Sequence, residues 1–170
     1  MQYLILPGSL TAAYTLTQYN NGITPRVGDT YFNQSNGKAY IFLKNTGSSA
    51  LAASICATSL TTAKAAYTCE LPAATADLPF AGVRVVGATS LAQNEFGWFQ
   101  VKGVATVTAD AAGTTAEKYI TTSNGTAGNV EVQASTYAVA MGPATIFGIA
   151  HTTTTAGVAV VTLTGNCWGI

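Results

Sequence analysis

At 170 residues the chain has the length of one domain, and a domain of that size buries roughly 70% of its unfolded surface without needing a disulfide or a metal. It carries seven Lys or Arg and seven Asp or Glu, a charged fraction of 8% that sums to zero, against the ~25% usual in soluble domains. The 48% apolar content excludes a disordered chain, and the scattered cations argue against a nucleic-acid or anionic-membrane partner.

Residues 1–28 open apolar, with Tyr3, Leu4, Ile5, Leu6 and Pro7, then run through Tyr14, Tyr19, Asn20 and Gly22 to Pro25. Two readings stay open for this stretch: an extended arm that packs on a neighbour, or the first strand and loop of the core. The start has no basic region, and its apolar run is too short for a signal peptide, so synthesis in the cytoplasm is expected. No stretch reaches the ~18 apolar residues of a membrane-spanning helix.

Strand signals dominate from there, and residues 29–170 read as a single antiparallel β domain. Lys38–Lys44 is an aromatic and aliphatic run with a charge at each end. Both of its faces are apolar, with Tyr40 and Phe42 on one and Ala39, Ile41 and Leu43 on the other, so a second layer must cover it. Residues 49–64 are Ala-rich without a sustained helical stripe, leaving helix or strand open. Residues 71–79, bracketed by prolines, read as a connecting loop, and Val83–Val86 as a short strand. Gly97–Val101 and Val104–Ala109, separated by Lys102 and Gly103, read as a hairpin on a tight turn.

Glu117–Thr121 is another short candidate strand. Asn129–Gln133 alternates, placing Val130 and Val132 on one face. Phe147–Ala150 and Val158–Leu163, joined by a Thr-rich loop ending at Gly157, read as a second hairpin. Turn signals recur at Asn20–Gly22, Asn36–Gly37, Asn124–Gly125 and Thr164–Asn166. Short strands and turns at this spacing predict an all-β fold, an antiparallel β-sandwich or β-barrel with little helix.

Candidate chemistry is thin. His151 is the single histidine, in a Thr-rich loop without a nucleophile elbow nearby, and reads as exposed or bonded to Thr hydroxyls. Cys56, Cys69 and Cys167 lack the close pairing of zinc sites and read as buried thiols, with one Cys56–Cys69 bridge left open. The seven carboxylates, Asp29, Glu70, Asp77, Glu95, Asp110, Glu117 and Glu131, are spread evenly, as turn and strand-edge residues are. No catalytic residue, metal or cofactor is assigned, and an enzyme is not expected.

Surface chemistry points instead to packing. Ala and Thr make up roughly a third of the chain, giving a surface that is wettable yet loses little when desolvated. Trp98 and Phe99 are consecutive on one strand and face opposite ways, so Trp98 reads as a candidate interface anchor beside Tyr3–Pro7. The segments 104–109 and 158–163 hold no charge, so their edges must be central or paired in an assembly.

Gly97–Gly103 followed by Val104–Val107 resembles a recurrent piece of tailed-bacteriophage head decoration, or capsid cement, proteins. The order that follows is also similar: Tyr119–Thr122, Phe147–Ala150, Val158–Leu163 and Thr164–Gly165, as are Val27–Thr30 and Tyr40–Asn45 nearer the N-terminus. This chain has His151 where such proteins commonly carry an acid, and residues 51–69 match nothing in them. The resemblance implies a non-enzymatic virion component on the capsid surface, made in the cytoplasm of a bacterial host. It further implies binding to the major capsid protein, often as a homotrimer, and stabilisation of the shell. The alternative is a tail, fibre or head-fibre domain that adheres to a host surface.

Overall fold

A computed structural model describes residues 9–22, 25–58, 67–72, 80–123, 125–132 and 147–165, with the side chains of 56–58 left out. In chain order the elements are β1 (Ala13–Tyr14), α1 (Leu16–Asn20), β2 (Thr30–Asn33), β3 (Lys38–Asn45), β4 (Cys56–Thr58) and β5 (Thr68–Cys69). They continue with β6 (Phe80–Arg84), β7 (Phe96–Ala109), β8 (Tyr119–Thr122), β9 (Val130–Val132), β10 (Gly148–Ala150) and β11 (Gly157–Thr164). The all-β expectation holds, in its barrel form.

β7 organises the molecule. Its second half pairs with β11 over eight residues, β11 with β10, β10 with β8, β8 with β9, and β9 returns to β7 at Ala109. This ring is a closed barrel, its last contact being the single β9–β7 pair of Val130 with Ala109. The first half of β7 leaves the ring and carries β3 on one edge, with β1 and β6 on the other. β2 extends this outer sheet beyond β3, β4 extends it beyond β6, and β5 adds a short parallel pair to β3.

The hairpin expected over 97–109 is therefore corrected: these residues form one strand. Gly103 does sit at φ +85°, but a single left-handed residue bends the strand instead of reversing it. Its neighbour Lys102 is registered with Ala39 of β3 and Thr164 of β11, so partners hold both edges at the bend. Opposite Ala39 and Tyr40 the register shifts, leaving Val101 as an extra residue in β7. A Cβ at Gly103 would lie 3.0 Å from the Gly37 carbonyl oxygen, so the close approach of the β2–β3 turn also selects glycine.

Other expectations fare better. Lys38–Lys44, Asn129–Gln133 and the 147–163 hairpin appear as β3, β9 and the β10–β11 pair, with residue 133 outside the described region. Val85 and Val86 fall beyond β6, which instead begins at Phe80. Residues 51–58 contain no helix and end in β4; residues 59–64 and 73–79 lie outside the described residues. The one helix described, α1, was not anticipated. Thr15 and Gln18 form a reciprocal capping box at its start, which is the sequence signal that reveals it.

Two apolar clusters result. The larger fills the barrel and the inner face of the outer sheet, from Ile41, Leu43 and Phe99 to Val107, Ile120, Val161 and Leu163, with Phe80 stacked on Phe147 at 4.0 Å. Along β7 and β11 the inward pairs match small with large: Gly103 with Leu163, Ala105 with Val161, Val107 with Ala159. That alternation fits side chains into a narrow barrel.

The smaller cluster is aromatic and lies on the opposite face of the outer sheet: Tyr40, Phe42, Phe96 and Trp98. Its cover comes from this same chain, through Leu10, Tyr14, Tyr19 and Val27. The Tyr19 ring stacks on Phe96 at 4.1 Å, and Tyr14 meets Phe42 edge-on at 5.9 Å. Within residues 1–28, the described part thus packs on its own body, while residues 1–8 lie outside the described region.

Candidate functional site

Of the residues singled out in the sequence, Tyr3, Leu4, Ile5, Leu6 and Pro7 lie outside the described residues. Trp98 is wholly buried within the chain, 5.3 Å from the Phe42 ring, and presents no surface to a partner in this conformation. It belongs to the aromatic cluster against which Leu10, Tyr14, Tyr19 and Val27 pack.

His151 is exposed, and its Nε2 is hydrogen-bonded to the Thr162 hydroxyl on the neighbouring strand. Its backbone N–H donates to the Val160 carbonyl at 2.8 Å, extending the β10–β11 ladder. This is the Thr-bonded surface histidine expected from the sequence. Cys69 is a free, fully buried thiol, so the Cys56–Cys69 bridge is not made; burial pushes its pKa up and keeps it a thiol. Cys167 lies outside the described residues, and among those described no group of three or more His, Cys, Asp or Glu is placed to hold a metal.

Among the carboxylates, Asp110 is buried where β7 ends. It accepts from the Ala112 and Gly113 N–H groups at 2.9 and 3.1 Å and from the Ser123 hydroxyl. Ser123 in turn accepts from the N–H groups of Gly125 and Thr126. The pair closes two loops at one end of the barrel, a structural use of residue types that also serve catalysis. Asp29 caps a turn through the Arg26 N–H at 2.8 Å, and Glu95 another through Ala92 at 2.8 Å.

Sequence reasoning passed over Arg84, counted only as one of the scattered cations. It is fully buried, and its guanidinium donates to the carbonyls of Trp98 and Ala12 at 2.9 Å, Thr89 at 3.0 Å and Thr11 at 3.4 Å. Burial lowers its pKa to about 10, which leaves it charged at neutral pH. Gly97 makes room for it: a Cβ there would lie 2.7 Å from Nη1. No motif announces this arrangement, because its acceptors are backbone atoms from three separate segments.

The outward side of the β7–β11 ladder is the remaining candidate. Its cross-strand pairs are Val104 with Thr162, Thr106 with Val160, and Thr108 with Val158, each joining one Val to one Thr. Ile149 of β10 is registered with Thr162 and extends the Val104 row by one strand, and Tyr119 of β8 is registered with Ile149. Val104, Tyr119, Ile149 and Val158 are all exposed large apolar residues, Val158 at 68%. No ionised group interrupts the three Val–Thr pairs; Lys102 stands at one end. The absence of charge in 104–109 and 158–163 is thus half explained: the two strands pair with each other, and on their outward side Val104 and Val158 are exposed while Thr106, Thr108, Val160 and Thr162 are half-buried, Thr162 beneath the His151 ring to which it is bonded.

No protein-family model matches the chain, and no curated protein does. Among solved structures it is similar to the head fiber gp8.5 N base of bacteriophage phi29, at 14% identity and a TM-score of 0.43, over 75% of this chain and 95% of that one. A likeness at that score does not establish a common fold or role.

Proposed function

We propose that the chain is a structural component of a phage head that binds the outer surface of the shell and stabilises it, as a decoration or cement protein does. Its partners in this reading are the major capsid protein and further copies of itself, in the homotrimer that the resemblance implies. It is made in the bacterial cytoplasm, works on the virion surface and catalyses nothing.

The observation that carries the reading is where the resembling segments fall. Gly97–Val107, Tyr119–Thr122, Phe147–Ala150 and Val158–Leu163 are β7, β8, β10 and β11, four of the five barrel strands, and Tyr40–Asn45 is most of β3. The likeness therefore lies mainly in the framework strands, with Val27–Thr30 and Gly165 in the turns beside them. The charge-poor surface supports it further, since docking onto a shell desolvates few ionised groups. Several modest contacts by one oligomer add through effective concentration, so no single contact need be strong.

Imaging particles with and without the chain tests the reading. Copies spread over the shell are expected; a single tail or vertex location would favour the fibre alternative, and absence from the particle would end both.

A further inference from the structure

We propose that residues 9–22 are a strap that opens as one unit while the barrel stays folded, baring the aromatic face formed by Tyr40, Phe42, Phe96 and Trp98. The proposal does not depend on the assembly role above.

The strap and the face it packs on differ in depth. Phe42 and Trp98 are wholly buried, and Phe96 and Tyr40 nearly so, yet no residue from 9 to 22 is buried. Leu10, Tyr14 and Tyr19 reach the cluster half-buried, and Leu16 stands exposed on α1. Segments with few buried apolar contacts open at a lower free energy than core strands do. β1 is paired with β7 at two positions only, Ala13 with Gly97 and Tyr14 with Phe96, whereas β11 is paired with it at eight.

The fastenings lie at two places. Near the start, the Thr11 carbonyl accepts from the Thr89 N–H at 2.9 Å, and Arg84 Nη2 donates to the Thr11 and Ala12 carbonyls at 3.4 and 2.9 Å. Near the end, the Tyr19 ring lies between Phe96 at 4.1 Å and the Arg26 guanidinium at 5.2 Å. Its hydroxyl accepts from the Val27 N–H at 3.4 Å, and its carbonyl accepts from Arg26 Nη1 at 3.3 Å. Between the two, bonds internal to the strap make it one piece: the Thr15–Gln18 capping box and the Asn21 N–H donating to the Thr17 carbonyl at 3.0 Å.

Beyond the strap the chain is held to β3, since the Gly28 N–H donates to the Phe42 carbonyl at 2.8 Å and the Phe42 N–H to the Asp29 carbonyl at 2.9 Å. Gly22, at φ +87° with open space around it, stands between the strap and that anchor, where the backbone has most freedom to swing. The closed state also leaves two buried donors without a hydrogen-bond partner, Arg84 Nε and Trp98 Nε1. An unpaired buried N–H is a penalty on the closed state, and water reaching these groups in the open state removes it.

Hydrogen exchange of the full chain, followed by NMR in urea below the unfolding transition, is the test. The amides of Thr89, Tyr19 and Asn21 are expected to share one opening equilibrium. It should lie at least about tenfold above that of the β7–β11 ladder amides and depend more weakly on urea. Arg84→Met and Tyr19→Ala should each raise this opening at least about tenfold, at urea concentrations where the ladder remains protected. Exchange of the three amides only together with the ladder, or each with its own equilibrium, overturns the proposal. So does unchanged protection of Thr89 in the variants; should Arg84→Met fail to fold, Tyr19→Ala alone decides.

Discussion

The guanidinium of Arg84 donates to the Ala12 carbonyl at 2.9 Å, joining two points 72 residues apart in the chain. With its bonds to Trp98, Thr89 and Thr11, this buried cation ties the N-terminal segment, β6 and β7 together. Arg84→Met keeps much of the volume but leaves four carbonyls short of a donor. It is expected to cost about 2–4 kcal/mol in urea unfolding and to speed proteolysis near Thr11. Arg84→Lys, which has a single ammonium and no planar fork, is expected to recover only part of the loss. A Met variant as stable as wild type would show that the latch contributes nothing.

Gly103 is the hinge of β7. Gly103→Ala places a side chain at φ +85° and 3.0 Å from the Gly37 carbonyl oxygen. The expected loss is about 1–3 kcal/mol by denaturant unfolding. Gly157, at φ +86° with open space around it, carries the backbone strain without the close contact, so Gly157→Ala should lose less. Equal losses at the two positions would mean that the approach of the β2–β3 turn is not what selects glycine at 103.

Cys69 gives a pH signature. Its native pKa is raised above the ordinary value of 9.0 by burial, so above pH 9 the unfolded chain releases this proton while the folded chain keeps it. Its contribution to stability therefore falls as pH rises past 9. Arg84 acts in the opposite sense, since its native pKa is lowered to about 10 and the folded chain sheds that proton first. Burial raises the Tyr40 pKa above its ordinary value of 10.0 and acts in the same sense as the thiol, so the comparison with a Cys69 variant isolates the thiol effect. Cys69→Ala should flatten the fall in stability between pH 9 and 10, measured by urea titration against wild type. In the native protein, peptide mapping should find Cys69 resistant to alkylation until the chain unfolds.

His151 is a surface residue whose side chain is bonded, among the described residues, to Thr162. His151→Ala is expected to cost no more than about 1 kcal/mol and to leave shell binding intact. A loss of shell binding with an unchanged fold would place the histidine in the docking surface.

Deletion of residues 1–7 tests the N-terminal anchor suggested by Tyr3–Pro7. The proposed role expects binding to shells to fall while the melting temperature of the soluble protein holds. Unchanged binding would remove those residues from the contact.

Much of the fold is legible in the sequence because its signals are local. β3 shows as a charge-bounded aromatic run, β9 as strict alternation, and the β10–β11 pair as two apolar runs around a Gly-ended loop. The misreading of β7 has a definite cause: Lys102–Gly103 has the composition of a turn, and only the tertiary contacts of both strand edges make it a bend. Trp98 is legible as important but not as internal, because much of what packs on its aromatic cluster comes from a segment some 80 residues away in sequence. Arg84 was illegible, since the carbonyls that hold it carry no side-chain signature.

The most direct test of the assembly role is to tag the chain, purify the particles that contain it and image them by electron microscopy. The account predicts label distributed over the exterior of the head, with heads lacking the chain less resistant to heat or chelation. Label confined to a tail or a single vertex, or heads equally robust without the chain, would contradict it.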